Sequence, residues 1–262
     1  MKTTTISKRL GLTRMLGAGI ATLCVSSSAF ANFINGGFES GNTSGWTIGG
    51  GNRTGLGNAA INPTDFLPGG SRYDAGIASS HSAVVTAGIA DHTDGNLNRV
   101  NQTFGGTYSF RAEDTINGGY ASVITQRVDN YTDTNIFFAW AAVLEGAHGT
   151  DEAATFKLVL RDETAGTDLI TRQYNAANSG GGVDSRFTLS SDGFYYTSWQ
   201  VEQLALDSSI VGHDFTLTLL AADCQFTGHE GEVYLDGFGA IPPPPPPIPL
   251  PGTLALLGLG LA

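Results

Sequence analysis

Along the chain the apolar positions fall in short alternating runs rather than in helical stripes. Phe156, Leu158 and Leu160 alternate with Thr155, Lys157, Val159 and Arg161, and Phe215, Leu217 and Leu219 alternate with Thr216 and Thr218. A period of two buries one face of a strand and leaves the other to solvent, so both runs predict half-buried antiparallel strands. The stretch IFFAWAAVL, from Ile136 to Leu144, is apolar on both faces. Its length and its aromatic and β-branched content favour a central strand over a short buried helix. Clusters of Gly, Asn, Asp and Ser at 49–57, 178–182 and 190–193 separate the runs, and no stretch combines sustained helical spacing with caps. The pattern predicts an all-β antiparallel β-sandwich, a jelly roll, over residues 32–241.

Two segments interrupt this regularity. Section 47–82 carries eight Gly and two Pro and no clear period; it reads as an extended loop wrapped over one sheet, and loops of that length usually bind or cover something. The run Asp91-His92-Thr93-Asp94-Gly95 lacks the spacing of a calcium loop and reads as a turn.

The two ends differ from the middle. Lys2, Lys8, Arg9 and Arg14 precede an apolar stretch, Met15 to Val25, and then Ala29-Phe30-Ala31. That order predicts a secretory signal over 1–31, cut after Ala31. Leu23 before Cys24 stands where a lipoprotein signal needs a small residue, so lipidation is not expected. Removing these 31 residues takes four of the 13 basic groups and no acid, which leaves nine against 24 acidic residues, or −15. Such a chain repels phosphate backbones, so nucleic acid is not an expected partner. It attracts calcium, which exported proteins meet in quantity. Cys224 is then the only cysteine, and the fold rests on packing rather than on an internal disulfide. At the other end, eight of the ten prolines lie in 242–251, a polyproline II spacer, and the apolar GTLALLGLGLA follows over 252–262. From Leu250 to Ala262 there are 13 residues, fewer than the ~20 of a membrane span. Either the sorting segment continues beyond Ala262 or this copy is released.

NFINGGFESGNTSGW (Asn32–Trp46) resembles the opening strand of the galactose-binding-like jelly rolls found in bacterial carbohydrate-binding modules, and GEVYLDGFGA (Gly231–Ala240) resembles their closing strand. Trp140–Asp162 and Thr216–Asp236 resemble a bacterial exported family that pairs a Val-Leu-Glu…His…Glu segment with an Asp-Cys…Gly-His segment. Pro249-Leu250-Pro251 and the apolar run after it resemble a PEP-CTERM sorting signal, with Leu for the usual Glu and no basic end. These resemblances imply export, processing by an exosortase-type enzyme with transient membrane association, residence at the cell surface or in the extracellular matrix of a Gram-negative bacterium, and exopolysaccharide as a partner. They also imply a structural calcium held by one acid from the first strand and one from the last, Glu39 and Asp236. The alternative is that Glu39 accepts turn N–H groups and Asp236 ends its strand at the solvent.

Of the familiar catalytic signatures, Gly-x-Ser-x-Gly, His-Glu-x-x-His and a phosphate-cradling Gly loop are absent. Twenty-four acids in a secreted chain form chance pairs, so a glycosidase is the lesser reading and a non-enzymatic module the leading one. A second constellation comprises Glu145, His148 and Glu152 on one segment and Asp223, Cys224 and His229 on another. It reads either as a hydrogen-bonded clasp between loops, with Cys224 a small buried hydrophobe, or as a transition-metal site. Tyr195 and Tyr196 point to opposite faces of a strand, and the outward ring is a candidate sugar platform, whereas Trp199 reads as core. Two classes stay open, a polysaccharide-binding module and a purely structural matrix protein.

Overall fold

A computed structural model describes residues 32–94 and 99–239. The signal segment 1–31, Gly95 of the 91–95 turn, the proline-rich spacer 242–251 and the apolar segment 252–262 lie outside the described residues. Among the described residues twelve strands run β1 Thr47–Asn52, β2 Ser82–Thr86, β3 Tyr108–Ala112, β4 Tyr120–Val128, β5 Asn135–Glu145, β6 Thr155–Asp162, β7 Thr167–Asn175, β8 Phe187–Leu189, β9 Phe194–Thr197, β10 Gln200–Ala205, β11 Phe215–Ala222 and β12 Gly231–Gly239. They form an antiparallel β-sandwich of jelly-roll type. One sheet has the order β1-β4-β11-β6-β7; the other runs β2-β3-β12-β5-β9-β8, with β10 also on β5. Strands β9 and β10 share one edge of β5, pairing with residues 143–145 and 135–140.

The alternation of β6 and β11 has the expected consequence. Phe156, Leu158, Leu160, Phe215, Leu217 and Leu219 are fully buried between the sheets, opposite Phe138, Trp140 and Leu144 of β5. The other face of β5 is covered too: Ala141 and Val143 lie under Ala90, Val100, Tyr196 and Tyr234. A strand apolar on both faces thus sits centrally because something packs on each side of it.

Two expectations change. Segment 32–46 is a chain of turns rather than a strand, with Asn35 at φ 52° and Phe38 at φ 58°. Phe38 drives its ring into the core against Trp46 and Phe110, at 5.2 and 5.6 Å between centroids. The Gly36 carbonyl meanwhile accepts the Phe238 N–H, tying the segment to β12. Section 47–82 is not one loop. It contains β1, a 3-10 turn at Pro63–Phe66, and α1 at Ala75–Ser80, whose first turn is capped by Asp74. Gly49 and Gly51 belong to β1 because backbone packs directly on them: an added Cβ would lie 2.2 Å from the Phe66 carbonyl oxygen and 1.9 Å from that of Arg72. Phe66 and Ile61 cover Ala121, Val123, Leu220 and Ala222 on the outer face of the five-stranded sheet. The section does cover a sheet, as its length suggested.

Candidate functional site

Glu39 and Asp236 reach the same short loop from opposite sides. The exposed Glu39 carboxylate accepts the N–H groups of Thr107 and Tyr108 at 3.0–3.1 Å. Asp236 Oδ2 accepts those of Phe104 and Gly105 at 3.0 and 3.2 Å. Between the two acids lies Gly37, where a Cβ would be 3.5 Å from Asp236 Oδ1 and 3.9 Å from Glu39 Cγ. Asp236 is only 3% exposed, so it does not end its strand at the solvent. Burial pushes its carboxyl up to about 7, against the backbone N–H bonds and with a further push from the Glu39 charge. Both carboxylates keep lone pairs beyond these bonds, and Glu39 is open to solvent. Glu39 thus accepts turn N–H groups; a calcium ion held by both acids would also need backbone carbonyls to complete its shell.

The second constellation is brought together only in part. Residues 145–153 and 223–230 are joined by backbone bonds from Gln225 N–H to Glu152 O and from Glu145 N–H to Glu230 O. Ligand atoms of His148, Cys224 and His229 all lie within 4.8 Å of one another. The His148 and His229 rings meet edge to face with centroids 4.7 Å apart. Cys224 is fully buried, as expected of a small hydrophobe, but its Sγ is 3.5 Å from His229 Nδ1 and 3.3 Å from the Gly228 N. Two of the carboxylates bond elsewhere: Glu145 Oε2 accepts the Glu230 N–H and Asp223 Oδ2 the Tyr120 N–H, while Glu152 enters the loop pairing through its backbone carbonyl.

Asp223 instead joins an interior acid cluster that the sequence did not reveal. Glu113 is fully buried, His81 and Asp114 are buried beside it, and His81 Nδ1 lies 3.2 Å from Asp114 Oδ1 and 3.9 Å from Glu113 Oε2. The Ser122 hydroxyl donates to Glu113 Oε1 at 2.6 Å. Burial pushes Asp223 up to about 8 and Glu113 well above the carboxylate range, and Asp223's charge raises Glu113 further. Arg53, buried beneath, donates to the Asp223 and Leu56 carbonyls and is itself lowered to about 10, chiefly by burial. These side chains come from segments up to 170 residues apart, and no local spacing announces them.

The aromatic platform does not form at the expected place. Tyr195 turns toward the main core, whereas Tyr196 turns outward but is 4% exposed beneath Ala90 and Val100. Ala90 and Val100 cover the face on which that ring was to stack. Trp199 packs in the same outer cluster and donates to the Asn101 carbonyl.

An open hollow lies instead on the outer face of the five-stranded sheet, beside the Pro63–Phe66 turn. Its volume is about 670 Å³, and Thr47, Thr125, Arg127, Arg161, Thr216 and Thr218 line it. Register explains the ladder: Thr47 opposes Thr125, which opposes Thr218, and Arg127 opposes Thr216, which opposes Arg161. Thr125 and Thr218 share a hydroxyl hydrogen bond of 2.8 Å. Asp129 and Asp214 pair with Arg127, and Asp168 and Glu163 with Arg161, so acids flank both guanidinium groups.

No protein-family model matches the chain, and no curated protein matches it. Among solved structures it is similar to TmCBM61, solved in complex with β-1,4-galactotriose, at 13% identity and a TM-score of 0.40 over 79% of this chain and 96% of that one. It is similar to a cyclase from Fischerella sp. TAU at 11% identity and a TM-score of 0.36, over 79% and 94%. It is also similar to CBM28, a carbohydrate-binding module specific for non-crystalline cellulose, at 14% identity and a TM-score of 0.35, over 78% and 92%. Overlaps of this size carry no argument about ligand or activity.

Proposed function

We propose that the chain is an exported, non-enzymatic module of the cell surface or polysaccharide matrix that holds a neutral polysaccharide on the outer face of its five-stranded sheet. The hollow carries this reading. A cross-strand ladder of threonine hydroxyls, flanked by guanidinium groups already paired with acids, offers many fixed donors and acceptors. That suits an uncharged polyol chain, whose hydroxyls bond in both senses. The sequence resemblances at both ends of the domain and at the tail support export, exosortase-type sorting and carbohydrate as the partner. Glycan-array binding followed by affinity electrophoresis tests the reading. Thr216→Val, Thr218→Val and Arg161→Gln should each weaken retention about tenfold, since each removes a hydrogen bond worth ~1 kcal/mol or more. Unchanged retention in all three variants would refute this face as the site. A wild-type chain that retains no glycan would favour the second reading, a structural matrix spacer.

A further inference from the structure

We infer that His148, Cys224 and His229 form a site for a borderline transition cation of the zinc class, with three protein ligands and a fourth position left to water or an exogenous group. This is independent of the polysaccharide reading and concerns a different part of the molecule.

The geometry is the first argument. Metal–sulfur and metal–nitrogen bonds of roughly 2.3 and 2.05 Å at a tetrahedral angle set the two ligand atoms about 3.6 Å apart. Cys224 Sγ and His229 Nδ1 are 3.5 Å apart. No pair of the three ligand atoms exceeds 4.8 Å, so a ring movement of about 1 Å by His148 would close the set.

A second observation is independent of that spacing. His148 Nε2 is buried without a hydrogen-bond partner. Leaving a buried ring nitrogen unpaired costs free energy that a metal bond would recover. The Gly228 N–H points at Cys224 Sγ and helps to fix the position of the sulfur. Phe226 meets the His148 ring edge to face on the solvent side.

The donor set decides the class. Two imidazoles and one thiolate select zinc, cobalt or copper over calcium, and the Glu145 carboxylate and Asp223 Oδ2 accept backbone N–H groups of Glu230 and Tyr120. Uptake replaces the thiol proton with the cation, so one proton is released for each cation bound.

The test uses the exported chain stripped with chelator, and cobalt(II) alone as the probe. Wild type should bind one cobalt per chain with a thiolate-to-cobalt charge-transfer band that one equivalent of zinc abolishes. Cys224→Ser should remove the band. His148→Gln and His229→Gln should weaken cobalt binding by at least about 100-fold, the upper range seen on losing even an outer-shell partner. A wild-type chain with no such band overturns the inference, as does a band of undiminished strength in both histidine variants at the same cobalt concentration. If a variant does not fold, the wild type decides by its melting temperature. A rise that saturates at one zinc per chain supports the site, and no rise overturns it.

Discussion

Glu232 gives the domain a pH dependence opposite to ordinary acid denaturation. Its carboxyl is 4% exposed on β12, with Oε1 unpartnered. Burial pushes it up to about 7 from an ordinary 4.5; hydrogen bonding to Tyr234 and the charge of Arg111 pull it down, and Asp91 and Glu230 push it further up. A raised acid pKa means that the folded state holds the proton more tightly than the unfolded chain does. The contribution is therefore fully present below pH 4.5, is lost as pH rises through the window from 4.5 to about 7, and is gone above it. At ~1.4 kcal/mol per unit, the shift is worth about 3 kcal/mol. For a domain of this size that corresponds to roughly 6–12 °C in melting temperature. Glu232→Gln keeps the shape and removes the titration, so it should melt higher than wild type at pH 8 by up to that amount, and the two should converge toward pH 4.5. Calorimetry of both proteins across this range isolates Glu232, because Asp236, Asp223 and Glu113 contribute equally to each curve. Parallel curves for wild type and variant would refute the reasoning.

Three further outcomes are expected. Millimolar calcium should raise the wild-type melting temperature, by an amount equivalent to ~2.7 kcal/mol at a hundredfold excess over Kd, whereas Glu39→Gln and Asp236→Asn should respond little; identical melting in chelator and calcium would remove calcium from Glu39 and Asp236. Gly51→Ala should destabilise by about 1–3 kcal/mol despite lowering chain entropy, because its methyl meets the Arg72 carbonyl, and denaturant titration showing a gain would mean that the covering segment can move away. In chelator, a double-mutant cycle on His148→Ala and His229→Ala should give a coupling of about 0.5–3 kcal/mol, since the rings touch; additive effects would place them apart.

The site residues divide by how local their signals are. Glu39 and Asp236 were singled out because each lies in a short run with a recognisable pattern, and the fold brings both runs to residues 104–108. Tyr196 was misjudged as an open platform because alternation says which face a residue takes and nothing about what lies over that face. Glu113 and Asp114 carried no signal at all. An acid pair after a strand usually marks a solvated turn, and only its partners His81, Ser122 and Asp223 make it an interior cluster.

By itself the sequence determined the elements whose stabilisation is local and periodic. The alternation in β6 and β11, the doubly apolar β5 and the turn clusters made a two-sheet sandwich predictable, because a strand's two faces repeat every second residue whatever surrounds it. What only the tertiary structure decided were matters of approach between distant segments. Gly49 and Gly51 read as loop although Phe66 and Arg72 lie on them, and for Cys224, read either as filler in a clasp or as part of a metal site, only the fold brings ligand atoms of His148 and His229 within 4.8 Å of its sulfur. Such juxtapositions depend on strand order and register, which the whole sandwich settles at once through burial summed over many contacts, and no short stretch of chain contains that sum.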